Sequence, residues 1–295
     1  MYYVIGLFSA AFAGMVGFFG QILQKKAINN VMAEKGLVTM WDLFKNKLWL
    51  TGIACILVFT TVFTVIAQML IGPALFPGLF ATGFIVLALG SVKILGEKLK
   101  KEEYIAMAML IIGIVFLSLS RLSIEADLSR FQDKAFIIRL SIFVIILFAL
   151  WLGFYYGGKK SKKKAVLMAL GSSLPFAIAN LGIQPMIMSV ESFFSDGFQT
   201  LTIVLFLITG PIVLATNLAG TVHFQKALAE GNASIIIPTQ QIPQQLSPIF
   251  IYFVVYAMTA PSFWSYVFVS LGTIIIIFAG FLLSKRQTQI VKKYR

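Results

Sequence analysis

Four glutamines stand in the middle of an apolar part of this chain, in the stretch PTQQIPQQLSP at residues 238–248. An unpartnered amide buried in hydrocarbon costs about 1–3 kcal/mol, so these side chains need partners other than lipid. In a helix, Gln241, Gln244 and Gln245 would lie on one stripe, and Gln240 and Gln244 on an adjacent one. Such a stripe of amides could bind a polar solute, or it could join neighbouring helices by hydrogen bonds.

The composition places these glutamines in a membrane. Hydrophobic residues make up 59% of the chain, charged residues only 12%, and the mean hydropathy is +0.92. Soluble domains carry about 25% charged residues, and a spanning helix needs about 20 mostly apolar residues. The sequence therefore predicts an all-α polytopic membrane protein with about nine transmembrane helices. The predicted spans are residues 2–24, 46–70, 73–95, 103–120, 136–158, 165–190, 200–226, 233–258 and 262–284.

The basic residues predict the orientation of the chain rather than a nucleic-acid partner. The net charge is +13, but the loops are too short to form a basic nucleic-acid-binding module. Nineteen of the 24 lysines and arginines fall in alternate connections that would share one side of the membrane. Because cytoplasmic loops retain basic residues, we expect the N-terminus outside and the C-terminus inside the plasma membrane of a prokaryote. The first span has no preceding basic residue and is interpreted as retained rather than as a signal peptide.

Other uncharged polar residues could reach the depth of the glutamines, whereas no Asp or Glu lies in the apolar part of any predicted span. Cys55 and His223 are the only residues of their types, which excludes a cysteine cage and a multi-histidine metal site, and His223 is expected to be structural. We expect no catalytic residues, metal or cofactor, and a neutral or zwitterionic solute or a hydrated cation as ligand. The candidate solute-binding residues are Gln240, Gln241, Gln244, Gln245, Asn180, Gln184, Asn217, Thr221, Thr61 and Gln68.

Two sequence echoes predict an internal duplication. TVIAQMLIGPA at 64–74 resembles TVHFQKALAEGNA at 221–233, and LIIGIVFLSLSR at 110–121 resembles IIFAGFLLSKR at 276–286. By the charge rule, the first member of each pair runs opposite to the second, as in transporters with inverted-topology repeats. The predicted organisation is a first repeat over 1–122, a fifth span with its connections over 123–164, and a second repeat with a basic C-terminal tail over 165–295.

Glycine and proline positions predict local features of three spans. Span three begins GPALFPGLFATG, and span eight contains Pro238, Pro243 and Pro248, so both helices are predicted to be interrupted near a binding site. In span one, small residues recur at close to four-residue spacing, which predicts close packing against other helices. They are Gly6, Ala10, Gly14, Gly17 and Gly20.

Short motifs across most of the chain resemble a known transporter superfamily. GEKLKKEEYIAMAMLIIGIVFLSLS at 96–120 and QKALAEGNASIIIP at 225–238 resemble the turns between the last two helices of each repeat in the drug/metabolite transporter (EamA-like) superfamily. The order FFGQILQKKAI, KLWLTGIACI, GPALFPGLF and GEKL is similar to the NIPA magnesium-transporter-like branch.

This resemblance implies two inverted repeats around a central cavity that opens alternately to each side, with a structural role for Glu97 in the turn motif. The NIPA-like branch has an acidic residue in its second span, where this chain has Thr60 and Thr61, which favours an organic solute over magnesium. The expected function is therefore alternating-access transport of a small polar solute, without enzyme activity. NIPA-like magnesium transport and lipid flipping or scrambling stay as alternatives. Expected partners are the solute or a hydrated cation and membrane lipids, with a monomeric or homodimeric chain and no nucleic acid.

Overall fold

The computed structural model describes residues 2–71, 75–122, 128–159, 161, 163–195 and 199–293, and this part of the chain is helical with no β-strand. A π-helical segment, Cys55–Thr60, joins the third and fourth α-helices. A second π-helical segment, Ile251–Val255, extends the eleventh α-helix, and Leu128–Gln132 forms a 3₁₀ turn. The α-helices are α1 Tyr2–Lys35, α2 Met40–Phe44, α3 Lys47–Ala54, α4 Thr61–Ile71, α5 Phe76–Phe80, α6 Gly83–Lys93, α7 Lys101–Leu119, α8 Lys134–Lys159, α9 Lys164–Ser195, α10 Thr200–Glu230, α11 Ala233–Phe250 and α12 Phe263–Lys293.

Eight helical segments within the described residues are long and apolar enough to cross a membrane, which is consistent with the predicted all-α polytopic class. A helix also occupies the position of the predicted eighth span, but α11 is too polar to belong to this apolar set. Its first half, residues 233–242, is instead buried among other helices, whereas Pro243, Gln244 and Gln245 are half-buried and Pro248 is exposed. The eight apolar segments are Tyr2–Lys35, Lys47–Ile71, Phe76–Lys93, Lys101–Leu119, Lys134–Gly158, Lys164–Val190, Thr200–Glu230 and Phe263–Ile290.

The helices pack in two groups that meet along α7, α11 and α12. In the first group, α1 contacts the continuous segment 47–71 as well as α5 and α6. In the second group, α9 contacts α8, α10 and α11. Helix α7 packs along α12, and α11 contacts α12, α6 and α7. The polar helix α11 therefore lies between the two groups.

Glycines let the backbones of α1 approach its neighbours closely. A Cβ atom built on Gly20 would lie 2.7 Å from the carbonyl oxygen of Gly52, and one on Gly52 would lie 2.6 Å from that of Gly20. A Cβ on Gly14 would lie 2.0 Å from the carbonyl oxygen of Phe80. Real side chains cannot occupy these positions without separating the helices. The predicted close packing of the small residues in span one is confirmed.

The prediction of a break in α11 is wrong, whereas the interruption of span three is confirmed. Span three divides at Ala81 and Thr82 into α5 and α6. Helix α11 instead runs continuously through Pro238, Pro243 and Pro248. Proline removes one N–H and clashes with the carbonyl four residues earlier, yet neighbouring helices can hold a helix together across it. In α11 the buried Pro238 has such neighbours, whereas Pro243 is half-buried and Pro248 is exposed.

Burial is concentrated toward one end of the bundle. We call it the basic end, because the helix ends at Lys35, Lys47, Lys101, Lys164 and Lys293 belong to it. Helix α1 is mostly buried over 13–28 but exposed over 2–5, and α10 is mostly buried over 220–228 but mostly exposed over 200–219. Helix α9 follows the same pattern, with its buried run over 165–175 nearest Lys164. The helices are thus densely packed at the basic end and less packed at the opposite end.

The close contact of α1 with α5 gives a stability prediction. We expect Gly14→Ala to lower the thermal unfolding temperature of the purified protein in detergent, because overpacking typically costs about 1–3 kcal/mol. Gly210→Ala is the matched control, since a Cβ there meets no atom within 4 Å and alanine favours a helix over glycine. An unfolding temperature of Gly14→Ala equal to or above that of the unaltered protein would contradict the packing described.

Candidate functional site

The four glutamines of α11 lie together and pass from a buried to a partly accessible environment. Gln240 and Gln241 are 3% and 7% exposed, whereas Gln244 and Gln245 are half-buried. The Gln245 Nε2 donates to the Gln241 Oε1 across 3.5 Å, a long and therefore weak hydrogen bond. The Gln240 Oε1 is buried and has no hydrogen-bond partner among the described residues. The cluster thus contains acceptor oxygens that a ligand or water could satisfy.

The prolines of α11 add backbone acceptors to this cluster. Because proline has no N–H, Pro248 leaves the carbonyl of Gln244 without its usual partner in the helix. The Ser247 Oγ donates to this carbonyl at 3.4 Å, which only partly replaces the missing bond. From the neighbouring helix α9, the Ser173 Oγ donates to the backbone carbonyl of Gln240 at 2.8 Å. The glutamine side of α11 is therefore rich in hydrogen-bond acceptors.

The other predicted site residues do not hydrogen-bond to these glutamines within the described part of the chain. Thr61, Gln68 and Asn180 are exposed. Asn217 and Thr221 are half-buried, and the Asn217 Nδ2 donates within its own helix, to the Val213 carbonyl at 2.8 Å. The side chain of Gln184 lies outside the described residues. The structure thus brings together the four glutamines of α11, and the remaining members of the predicted set stay as predictions.

A second polar cluster, which sequence reasoning did not assemble, joins the helices at the basic end. Its first element is Glu97, whose carboxylate accepts hydrogen bonds from the backbone amides of Ala233 at 2.6 Å and Ser234 at 3.0 Å. These are the first amides of α11, which have no partner within the helix and carry the positive end of its dipole. Burial raises the pKa of the Glu97 carboxyl, and the two amides oppose that effect. The structural role expected for Glu97 is therefore the capping of α11.

Glu103 is the second acid of this cluster and is fully buried. Its carboxylate accepts hydrogen bonds from the Ser234 Oγ, the Lys100 amide and the Arg286 Nε, each at 2.9 Å. These contacts connect α7 to α11 and α12 and pair the buried carboxylate with a guanidinium. A buried charge is tolerable only when paired and hydrogen-bonded in this way.

Helices α1, α3 and α10 join at the same end through further polar contacts. The Lys25 Nζ donates to the Leu228 carbonyl at 2.5 Å. The Gln225 Nε2 donates to the Gln24 Oε1 at 3.0 Å, and the Gln225 Oε1 accepts from the Trp49 Nε1 at 3.2 Å. We call the whole cluster the end network, formed by Gln24, Lys25, Trp49, Glu97, Glu103, Gln225, Ser234 and Arg286.

The sequence did contain a signal for the end network. The chain has 11 acidic residues, and two of them, Glu97 and Glu103, flank the start of α7 beside the ends of other spans. The charge rule uses Lys25 only as one of the basic residues that predict the orientation of the chain, although Lys25 directly follows an apolar span. His223, which was expected to be structural, is hydrogen-bonded through one ring nitrogen, whereas its Nε2 is buried without a partner among the described residues. It is 2% exposed, and its Nδ1 accepts from the Trp151 Nε1 at 3.1 Å.

A separate groove lies on the surface between α8 and α9 and contains none of the predicted site residues. Its volume is about 390 Å³, and its walls include Ala149, Gly153, Phe154, Gly157 and Leu167. These side chains offer no charge or amide to a polar solute. Within the described residues, moreover, no group of three or more His, Cys, Asp or Glu side chains could hold a metal ion.

Comparison with known proteins does not assign a family or a function to this chain. The chain matches no family model, and neither a curated protein nor a solved structure matches it. The two clusters must therefore be interpreted from their own chemistry.

The buried ion pair of the end network gives a second prediction. We expect Arg286→Met to destabilise the protein by about 3–5 kcal/mol, because it leaves the Glu103 carboxylate buried without its cation. Adding Glu103→Gln to this variant should recover part of the loss. Thermal unfolding of the two single variants and the double variant in detergent measures the coupling between the residues.

The control for this cycle is the exposed ion pair between Lys164 and Glu230. Lys164→Met should change the stability by less than about 1 kcal/mol, as is typical of surface pairs. Strictly additive effects of the Glu103 and Arg286 substitutions would show that the two side chains do not stabilise each other.

Proposed function

We propose that this protein is an alternating-access membrane transporter of a small polar solute, which binds at the glutamines of α11. The residues assigned to the solute are Gln240, Gln241, Gln244 and Gln245. The solute would be neutral or zwitterionic and would carry a hydrogen-bond donor for the buried Gln240 Oε1, which has no partner among the described residues.

The observation that carries this proposal is the environment of α11 along its length. Residues 233–242 are buried at the basic end, where the end network joins the helices, and residues 243–246 are half-buried farther along. The glutamines lie across this boundary. In each of its two states, an alternating-access transporter has a binding site that is closed to one side of the membrane and accessible from the other.

The packing of the helices also supports the predicted inverted repeats. Helix α1 packs against the two spans that follow it, and α9 likewise packs against α10 and α11. Helices α7 and α12, which would be the last spans of the two repeats, cross at Gly113 and Gly272. A Cβ on Gly272 would lie 2.8 Å from the carbonyl oxygen of Gly113, and one on Gly113 would lie 3.1 Å from that of Gly272. This close contact joins the two helices that would be the last spans of the proposed repeats.

A hydrated magnesium ion is the second candidate ligand. Magnesium keeps several of its waters, and those waters would donate to amide and carbonyl oxygens such as the Gln240 Oε1 and the Gln244 carbonyl. Direct coordination by a set of carboxylates has no support, because the described residues contain no such group. Lipid flipping or scrambling is the third alternative, and lipid-flip assays in liposomes distinguish it from solute transport.

The glutamines provide the mutational test of this function. A thermal-shift screen against magnesium chloride, amino acids, nucleosides and cationic drugs first selects a ligand, since a ligand that binds the folded state raises its stability. Uptake of that compound into proteoliposomes is then measured. We expect Gln241→Leu and Gln244→Leu to abolish uptake and the ligand-dependent shift while leaving the unliganded unfolding temperature nearly unchanged.

Gln132→Leu is the matched control, because Gln132 is exposed and lies in the 3₁₀ turn outside the helices of the bundle. It should leave uptake unchanged. Normal uptake by both glutamine variants of α11 would refute the site. If magnesium chloride alone gives a thermal shift and uptake, the ligand is the hydrated cation and not an organic solute.

A further inference from the structure

The connection between α1 and α3 presents large apolar side chains to its surroundings. Leu37, Trp41 and Phe44 are 75%, 68% and 50% exposed. The connection is not an unfolded loop, since Leu43 of its short helix α2 is only 1% exposed and packs into the main core. One face of this connection is thus buried in the protein, and the other is apolar and uncovered.

Local contacts hold this connection in a defined conformation. Gly36 ends α1 with a φ of +71°, and its amide donates to the Met32 carbonyl at 2.9 Å. Thr39 and Asp42 form a reciprocal capping box at the start of α2, and Lys35 pairs with Asp42. Hydrogen bonds from Lys35 and Thr39 lower the pKa of the Asp42 carboxyl to about 2, so this carboxylate stays ionised at neutral pH. The exposed apolar residues therefore have fixed positions.

The position of this connection indicates what covers it. Helix α1 has 34 residues and is about 51 Å long, whereas the hydrocarbon layer is about 30 Å thick, so α1 extends beyond that layer. Helix α3 begins the next apolar segment at Lys47, and the Phe44 ring packs edge-on against the Trp49 ring with centroids 5.2 Å apart. The connection thus joins two helices that are long and apolar enough to cross a membrane, and it lies outside their apolar segments.

The charges around the apolar residues suit an anionic surface. The Lys45 Nζ lies 5.1 Å from the centroid of the Trp41 ring. Lys47, two residues further along the chain, is exposed. Tryptophan and lysine are enriched at membrane interfaces, where the ring enters the head-group layer and the ammonium reaches phosphates. We infer that Leu37, Trp41 and Phe44 insert into the head-group layer at the basic end, and that Lys45 and Lys47 bind anionic phospholipid head groups there.

Site-directed spin labelling of the full-length chain tests this membrane contact. The chain has a single cysteine, Cys55, so Cys55→Ser supplies the background for Trp41→Cys and Phe44→Cys. Lys98→Cys, at an exposed turn, is the water-facing control, and Phe278→Cys, at a 53% exposed position within α12, is the lipid-facing control. Labels are compared in liposomes by their collision rates with oxygen, which enters lipid, and with a nickel chelate, which stays in water.

We expect the labels at 41 and 44 to give oxygen-to-nickel ratios between those of the two controls. Ratios equal to that of the label at 98 would overturn the inference. So would protection from both reagents together with dipolar broadening, because that result identifies a second copy of the chain as the cover.

Lipid composition tests the role of the lysines. The label at 41 should lie deeper in vesicles that contain phosphatidylglycerol than in phosphatidylcholine alone, and the double change Lys45→Gln and Lys47→Gln should remove this difference. A depth independent of phosphatidylglycerol in the parent chain would overturn the assignment of head groups to these lysines. Lys100→Gln, at an exposed position in another connection, is the matched charge control.

Discussion

The contact on which the rest of this structure depends is the carboxylate of Glu97 on the first two amides of α11. The first amides of a helix have no partner within the helix, and those of Ala233 and Ser234 are buried, where an unsatisfied polar group is costly. Helix α11 is also too polar to face lipid along its length. Glu97 provides the acceptors at its first turn, and Glu103 holds the adjacent Ser234 side chain while pairing with Arg286. Together these acids fix the polar helix between the two helix groups.

A polar end network suits a protein that changes conformation better than an apolar contact would. Apolar side chains released into water lose the free energy of burial, whereas amides, carboxylates and ammonium groups exchange one set of hydrogen bonds for another with water. Buried ion pairs contribute little net stability for the same reason, because their attraction is offset by desolvation. If the basic end opens during transport, the pairs Glu103–Arg286 and Lys25–Leu228 can be separated at moderate cost.

Glycine contacts and prolines have complementary consequences around α11. The Gly20–Gly52 and Gly113–Gly272 crossings hold α1 against α3 and α7 against α12 at backbone contact. The prolines leave α11 continuous but remove donors from its hydrogen-bond ladder, so that carbonyl oxygens remain next to the glutamine side chains. The same helix thus combines a fixed position with unsatisfied acceptors. This combination is the chemical basis of the proposed solute site.

The sequence by itself determined the all-helical class, eight apolar segments among the nine predicted spans, the small-residue stripe of α1 and the polar character of α11, because hydropathy and residue size act locally along the chain. The resemblance of the turn motif also indicated a structural role for Glu97, although not its partners. Only the tertiary structure decided that α11 stays unbroken at its prolines, that Gln240 and Gln241 are buried, and that Asn180, Thr61 and Gln68 are exposed. The end network likewise joins residues as far apart in the sequence as Gln24 and Gln225. Such contacts follow from how helices are rotated and paired, which the apolar pattern alone does not specify, since lipid and protein neighbours are equally apolar.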